Sequence, residues 1–443
     1  MTPSSATPDT SLYADLEFRG LVKQSTSPDL PARLAAQPLT LYCGFDPTAD
    51  SLHVGSLLPL LTLRRFQNAG HRVIALVGGA TGMIGDPSGK SQERKLQTVD
   101  DLRRNVEGIR GVVSRFLRLD GPNPALVTNN HDWFSGLSYL EFLRDVGKHF
   151  TVNHMMAKES VRARLEDREH GISYTEFSYM LLQAYDYVVL NEREGCTLQI
   201  GGSDQWGNIT AGIELLRRMR AHRENKTAED VADTVYGFTM PLVMKADGTK
   251  FGKSESGTVW LSEDRTTPYQ LYQFFLQTAD VDVGTMLRYF TFLPRAEIER
   301  LEGTVKTAPE KREAQTTLAR EMVKLVHGEA ALERATQASQ ALFGTEIRGL
   351  SKEALLEAFS SAPTTRKALS ALDAAVPLVD LLVEGALANS KGAARKEIAG
   401  GGVYLNNERV SDAAATVSKS DLLAGFAIVL RRGKKSYHLF RFD

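Results

Sequence analysis

The sequence predicts an α/β fold: a Rossmann-like, doubly wound parallel sheet, then an α-helical domain, then a small α+β domain. Three observations carry this expectation. Up to about residue 260, short apolar runs alternate with stretches of helical spacing. From Trp260 to about residue 360, strand signals almost vanish. After Pro377, two short helical stretches lead into Gly400-Gly401-Gly402 and a strand-turn-strand run, Val403 to Val410.

The elements follow in order. Leu39 to Phe45 is an apolar run that stops at the turn signal Asp46-Pro47, and it reads as the first strand. Val54 to Ala69 has helical spacing and stops at Gly70. Val73 to Val77 reads as a buried strand running into Gly78-Gly79. A helix near Leu102 to Leu117 and a strand near Ala125 to Thr128 come next. Thr175 to Leu190 reads as helix, Thr197 to Ile200 as strand and Ile209 to Arg220 as helix. Short strand–helix connections of this kind favour a parallel sheet with helices on both faces. Beyond it, Tyr269 to Leu276, Glu310 to Val326 and Ala330 to Leu342 read as helices. Helices near Leu378 to Leu387 and Lys391 to Ile398 precede the final hairpin, whose turn is Asn406-Asn407. The expected division is a disordered tail at 1–11 and a sheet domain at 12–260. A helical domain at 261–359, a linker at 360–376 around Pro363, and the last domain at 377–443 complete it.

Composition narrows the class. A chain of 443 residues exceeds one ordinary core, so two or three domains are expected. No stretch reaches the roughly 18 apolar residues that span a membrane. The Pro-, Ser- and Thr-rich start, Met1 to Ser11, lacks the apolar centre of a signal peptide. Two cysteines, Cys43 and Cys196, form neither a disulfide framework nor a CxxC pair, which points to a reducing cytosol. The nine histidines show no ligand spacing, so no protein-bound metal is expected. A net charge of -1 argues against a chain coated in basic residues. It hides a basic C-terminal stretch: Lys391, Arg395, Lys396, Arg409, Arg431, Arg432, Lys434 and Lys435.

Chemistry concentrates in four segments. Tyr42-Cys43-Gly44-Phe45-Asp46-Pro47-Thr48 to His53-Val54-Gly55-Ser56 lies between the first strand and the first helix. Ligands of open parallel sheets bind beyond those strand ends, and a helix start offers N–H groups to phosphate. Lys245 to Ser254 contains Lys250-Phe251-Gly252-Lys253-Ser254, a loop-like stretch with two lysines about a glycine. Tyr179, Gln183 and Asp186 stand at i, i+4 and i+7 and share one helix face, which a plain core would not tolerate. Gly201-Gly202-Ser203-Asp204-Gln205-Trp206-Gly207-Asn208 follows a strand as a ligand loop would. Gly85-Asp86-Pro87-Ser88-Gly89-Lys90-Ser91 has only three residues between its glycines, so it is not a P-loop. Taken alone, each segment also fits a helix cap, a solvated loop or a polar helix face.

In order and together, these segments resemble class I aminoacyl-tRNA synthetases. His53-Val54-Gly55-Ser56 is similar to the HIGH signature, departing at Ser56, where a second His is usual. Lys250 to Ser254 is similar to KMSKS. Phe177 to Asp186 resembles the tyrosine-binding helix of the bacterial tyrosyl family, so the last domain becomes an S-four-like RNA-binding domain and 261–359 an anticodon-binding domain. The resemblance implies activation of L-tyrosine with ATP, accompanied by Mg2+, to tyrosyl-adenylate, and transfer to the 3′ end of tRNA(Tyr). It implies a cytoplasmic homodimer with no membrane association. Tyrosine would be held by Tyr42, Asp86, Tyr179, Gln183, Asp186 and Gln205. ATP would meet Gly44, Asp46, Pro47, His53, Gly55, Ser56, Gly202, Asp204, Lys253 and Ser254. Charge stabilisation would fall to Thr48, His53, Lys250 and Lys253, with Lys90 and Arg94 on a second phosphate-side loop, and RNA contacts to Lys391, Arg395, Lys396 and Arg409. A tryptophan-specific relative or another HIGH-type nucleotidyltransferase is the competing enzyme, and Tyr42 with Asp186 favours a phenol over an indole. An RNA-binding protein without catalysis is the competing class; intact loop lysines argue against it.

Overall fold

The computed structural model describes residues 11–88, 97–166, 171–249, 251–254, 257–343, 347–360, 362–433 and 436–443. Its first compact unit comprises residues 1–265 and 278–314, and its second residues 266–277 and 315–443. The helices Asp280–Phe290 and Arg295–Thr307, inside the stretch expected to form a separate helical domain, therefore belong with the sheet.

The first unit is built on six strands: β1 (Gln24–Ser25), β2 (Thr40–Phe45), β3 (Arg72–Val77), β4 (Leu126–Asn129), β5 (Leu198–Gly202) and β6 (Tyr236–Met240). Their spatial order is β1-β6-β5-β2-β3-β4. Strands β2 to β6 pair in parallel, as expected of the sheet, and β6 is a strand the sequence reading did not name. The edge strand β1 runs antiparallel to β6, an exception that two residues without periodicity do not signal. Strand order reverses between β2 and β5, so their carboxyl ends diverge and open a crevice.

Side-chain alternation assigns the two faces. On one, Phe66 of the helix Leu57–Asn68 meets Phe238 of β6 at 6.3 Å between ring centroids. That helix buries Leu57, Leu58, Leu60, Leu61, Leu63 and Phe66. On the other face, Tyr42 packs edge-on to Tyr187 of the helix Tyr174–Glu194, in a core with Ile74, Leu76 and Leu215. Ser173 caps the start of that helix, accepting from Glu176 N at 3.2 Å, and Gly195 ends it at φ 63°.

The second unit contains the helices Pro268–Leu276, Glu329–Phe343 and Lys352–Ala358, followed by a five-stranded sheet. Its strands are Thr364–Lys367, Val403–Leu405, Glu408–Arg409, Ala427–Arg432 and Ser436–Phe442. Thr364–Lys367 lies within the stretch read as linker, yet it pairs in parallel with Ser436–Phe442. Asn406 and Asn407 take φ of 49° and 63°, the backbone of a two-residue hairpin turn. Asn406 also fastens that turn, donating to Asp421 O at 2.6 Å and accepting from Val429 N at 3.0 Å. No helix among the described residues is long and apolar enough to cross a membrane.

Candidate active site

A cleft of about 460 Å³ opens at the carboxyl ends of β2, β3, β5 and β6. Strand β2 supplies Tyr42 to the floor and Gly44 to the mouth, where Gly44 is exposed. The long helix Tyr174–Glu194 contributes Tyr179, Gln183 and Asp186 from the one face expected of them.

Two hydrogen-bonded networks line it. In the first, Asp186 accepts from Asn130 Nδ2 at 3.1 Å and from Trp133 Nε1 at 2.9 Å. The second amide hydrogen of Asn130 goes to Thr81 Oγ1 at 3.0 Å. Thr81 in turn donates to Asp46 Oδ1 at 2.8 Å, and Tyr179 donates its hydroxyl to Asp46 Oδ2 at 2.9 Å. The expected nucleotide residue Asp46 and the expected amino-acid residue Tyr179 thus share one network. Gly78 makes room for it, since a Cβ there would lie 2.2 Å from Asp46 Oδ1. Burial is the larger influence on Asp186 and pushes its carboxyl up to about 8; the two donors pull the other way.

In the second network, Asp86 accepts from Gln205 Nε2 at 2.7 Å and from Ser88 N at 2.9 Å. Asn208 Nδ2 lies 3.0 Å from Gln183 Oε1 and 3.2 Å from Gln205 Oε1, gathering those side chains about Asp86. The result is a ring of acceptors suited to an ammonium group.

Between the networks, two polar atoms are buried without a partner: the Tyr42 hydroxyl and Gln199 Oε1. These residues are register partners on β2 and β5, and both line the cleft. A buried unpaired hydroxyl is unfavourable in an empty protein and favourable once a ligand supplies its partner. The deep end therefore suits a ligand whose ring carries a hydroxyl.

At the mouth, the two signature segments meet. His53 forms a bridge with Trp260, Val54 N donates to Val259 O at 3.0 Å and Val259 N donates to Gly252 O at 3.0 Å. His53 is exposed, and Gly55 leaves room for its ring: a Cβ there would lie 2.8 Å from His53 Cε1. Gly55, Ser56, Gly202 and Asp204 line the same mouth.

Thr48 is exposed and is not among the lining residues. Pro47 is buried, its carbonyl accepting from Gln97 Nε2 at 3.1 Å and Asn105 Nδ2 at 3.2 Å, so it shapes the turn from behind. Lys90, Arg94 and Lys250 lie outside the described residues, as do the side chains of Lys253 and Ser254. Burial pushes both thiols, Cys43 and Cys196, up to about 12, so neither ionises near neutrality. In the second unit, Lys391, Arg395 and Lys396 are exposed on the helix Lys391–Ala399, and Lys391 Nζ lies 2.7 Å from Asp380 Oδ1. Arg409 donates to Gly401 O at 2.9 Å. Lys434 and Lys435 lie outside the described residues.

Sequence reasoning missed Thr81, Asn130, Trp133 and Gln199, and gave Asn208 no role beyond its place in the loop that starts at Gly201. A faint signal existed for two of them: Asn130 and Trp133 follow directly on β4, where a parallel sheet presents its ligand loops.

Residues 34–344 match the family model described as tRNA synthetases class I (W and Y), and residues 355–440 match a tyrosine–tRNA ligase SYY-like C-terminal domain. The chain is 52% identical over 433 residues to a tyrosine–tRNA ligase of Geobacillus stearothermophilus, covering 97% of this chain and 99% of the relative. The chain belongs to the tyrosine–tRNA ligase family. Another such ligase, from Staphylococcus carnosus, is 49% identical over 432 residues, covering 97% of this chain and 99% of the relative. Among solved structures, a C-terminally truncated mitochondrial tyrosyl-tRNA synthetase of Aspergillus nidulans aligns with a TM-score of 0.66 at 32% identity. That alignment covers 75% of this chain and 94% of the other. Membership of the ligase family agrees with the Rossmann-like sheet and with the C-terminal domain matched over residues 355–440.

Proposed function

We propose that this ligase activates L-tyrosine with ATP and transfers it to the 3′ end of tRNA(Tyr). The observation that carries the reading is the unpaired, buried Tyr42 hydroxyl beside Asp186 on the cleft floor. A substrate phenol donates to Asp186 and accepts from Tyr42, and phenylalanine leaves the Tyr42 hydroxyl unpaired. The α-ammonium group fits among Asp86, Tyr179 and Gln183. The carboxylate then points to the mouth, where His53, Gly55 and Ser56 meet the ATP phosphates and Asp204 the ribose.

In the first step a tyrosine carboxylate oxygen attacks the α-phosphorus of ATP, and pyrophosphate leaves with its Mg2+. In the second, the terminal ribose hydroxyl of the tRNA attacks the tyrosyl carbonyl, and AMP leaves. Neither step needs a protein nucleophile, which suits two inert thiols. Catalysis rests on positioning and on charge: His53, Lys250 and Lys253 stabilise the leaving phosphates, with Thr48, Lys90 and Arg94 as further phosphate-side contacts. Lys391, Arg395, Lys396 and Arg409 hold tRNA phosphate.

We further propose a cytoplasmic homodimer. Tyr139 (61% exposed), Leu140 (76%) and Tyr174 (64%) form an apolar surface whose two phenol groups meet at 3.1 Å, and a second copy would cover it. The overall reading is tested by charging purified tRNA(Tyr) with labelled tyrosine. Acid-precipitable label that depends on ATP supports it; label with tryptophan instead moves the specificity to the related branch.

A further inference from the structure

The segment carrying the second lysine signature is fastened at two points to a helix that does not line the cleft. Ala246 N donates to Asp282 Oδ1 at 2.9 Å, in the first turn of the helix Asp280–Phe290. Five residues further on, Phe251 stacks on Phe290, the last residue of the same helix, with ring centroids 5.7 Å apart and planes at 26°. Phe251 lines the cleft, whereas Asp282 and Phe290 do not. Lys250 lies between the two fastenings in sequence, and Lys253 just beyond the second.

The helix itself is gripped at its carboxyl end. Arg19 donates to Arg288 O, Thr291 O and Leu293 O at 3.1, 2.9 and 2.8 Å. Arg65 donates to Thr291 O at 2.5 Å. Both guanidinium groups are buried, and Asp15 lies 2.8 Å from one and 3.6 Å from the other. Carbonyls at a helix end lack internal partners and carry the negative end of its dipole, so two buried cations there hold it firmly. Arg65 belongs to the helix Leu57–Asn68, which follows directly on His53-Val54-Gly55-Ser56. One rigid connection therefore runs from the first signature, through Arg65 and the helix Asp280–Phe290, to both fastenings of the second.

We propose that the helix Asp280–Phe290 is a strut that sets the register of the two signatures, with Asp282 and Phe290 as positioning residues for adenylate formation. The inference rests on the activity proposed above. Neither residue touches a reacting group, so their removal slows the reaction without weakening tyrosine binding. The test uses the full chain with Asp282→Ala, Asp282→Asn and Phe290→Leu. Tyrosine-dependent ATP–pyrophosphate exchange gives kcat, and equilibrium dialysis gives the tyrosine Kd. Asp282→Ala and Phe290→Leu are expected to lower kcat about tenfold, since a displacement of about an ångström costs up to about a hundredfold. Tyrosine Kd stays within about twofold, and Asp282→Asn, which keeps the acceptor oxygen, stays near the parent. An unchanged kcat in Asp282→Ala, or an equal loss of tyrosine affinity, overturns the proposal. Trypsin cleavage within 245–254 reads the fastening without any activity. It should quicken several-fold in Asp282→Ala and not in Asp282→Asn, and equal rates in all three proteins also overturn the strut. If the parent fails to exchange while the cleavage rates differ as expected, the activity is wrong and the fastening stands.

Discussion

Tyr42 carries a hydroxyl that is buried and has no hydrogen-bond partner among the described residues. Replacing it by Phe removes an unfavourable group, worth about 1–3 kcal/mol when unsatisfied. Tyr42→Phe should therefore raise the melting temperature of the free protein while lowering kcat/KM for tyrosine about 3- to 10-fold, the worth of one neutral hydrogen bond. A lower melting temperature with unchanged kcat/KM would remove the hydroxyl from the account. Asp186 gives a second prediction through pH. Its folded value of about 8 stands above the usual carboxylate range near 4, so the folded state binds the extra proton between those limits. Stability from this group is present below about pH 4 and is lost as pH rises toward 8. The unfolding free energy of the parent, taken relative to Asp186→Asn, should fall between pH 5 and 8; a rise would reverse the sign. Tyr179, Gln183 and Asp186 were legible because a helix of 3.6 residues per turn brings them to one face. Asn130 and Trp133 were not, because their common partner, Asp186, is a buried carboxylate that arrives from a distant helix; Thr81 was not, because it joins that network only through Asn130 and Asp46.

At the scale of elements, β2, β3 and β5 were legible because each is a short apolar run closed by Gly, Asp or Pro, whereas β6, Tyr236–Met240, was not read as a strand. The longest C-terminal strands were not: Ala427-Ile428-Val429-Leu430 is buried throughout and so lacks the alternation that marks a half-exposed strand. Thr364–Lys367 looked like linker because its partner lies about seventy residues on, at the chain's end. The turn between β3 and the cleft offers a direct test. Gly78→Ala forces a methyl group against Asp46 and Thr81, an overpacking that costs about 1–3 kcal/mol. Tyrosine affinity should drop together with stability, because the displaced atoms belong to the network that holds Tyr179. A fall in stability with tyrosine binding intact would separate the two. Lys253→Ala should do the opposite: tyrosine binding survives and single-turnover adenylation slows by a few kcal/mol of barrier, as for other stabilisers of developing charge. Unchanged adenylation would take Lys253 out of the mechanism.

For the whole molecule, the C-terminal domain poses the sharper question. Ser436–Phe442 is the sheet partner of Thr364–Lys367, and Phe426, Val429 and Leu439 share a core with Leu355 and Phe359. Deleting residues 377–443 would strip that core, so truncation mixes lost RNA contacts with lost stability. Replacing Lys391, Arg395, Lys396 and Arg409 together by Ala avoids this. Adenylation should be unaffected, and KM for tRNA should rise and become less salt-dependent; equal tRNA kinetics would move the RNA surface elsewhere. The homodimer is tested by Leu140→Lys, which should halve the mass seen in sedimentation if a second copy covers Tyr139 and Tyr174. The central claim is that the cleft reads a phenol, and the most direct measurement is ATP–pyrophosphate exchange driven by tyrosine, phenylalanine and tryptophan in turn. Tyrosine should drive it, with phenylalanine disfavoured by a factor near the family's figure of about 10⁵. Exchange driven equally by phenylalanine, or by tryptophan alone, would contradict the assignment of Tyr42 and Asp186.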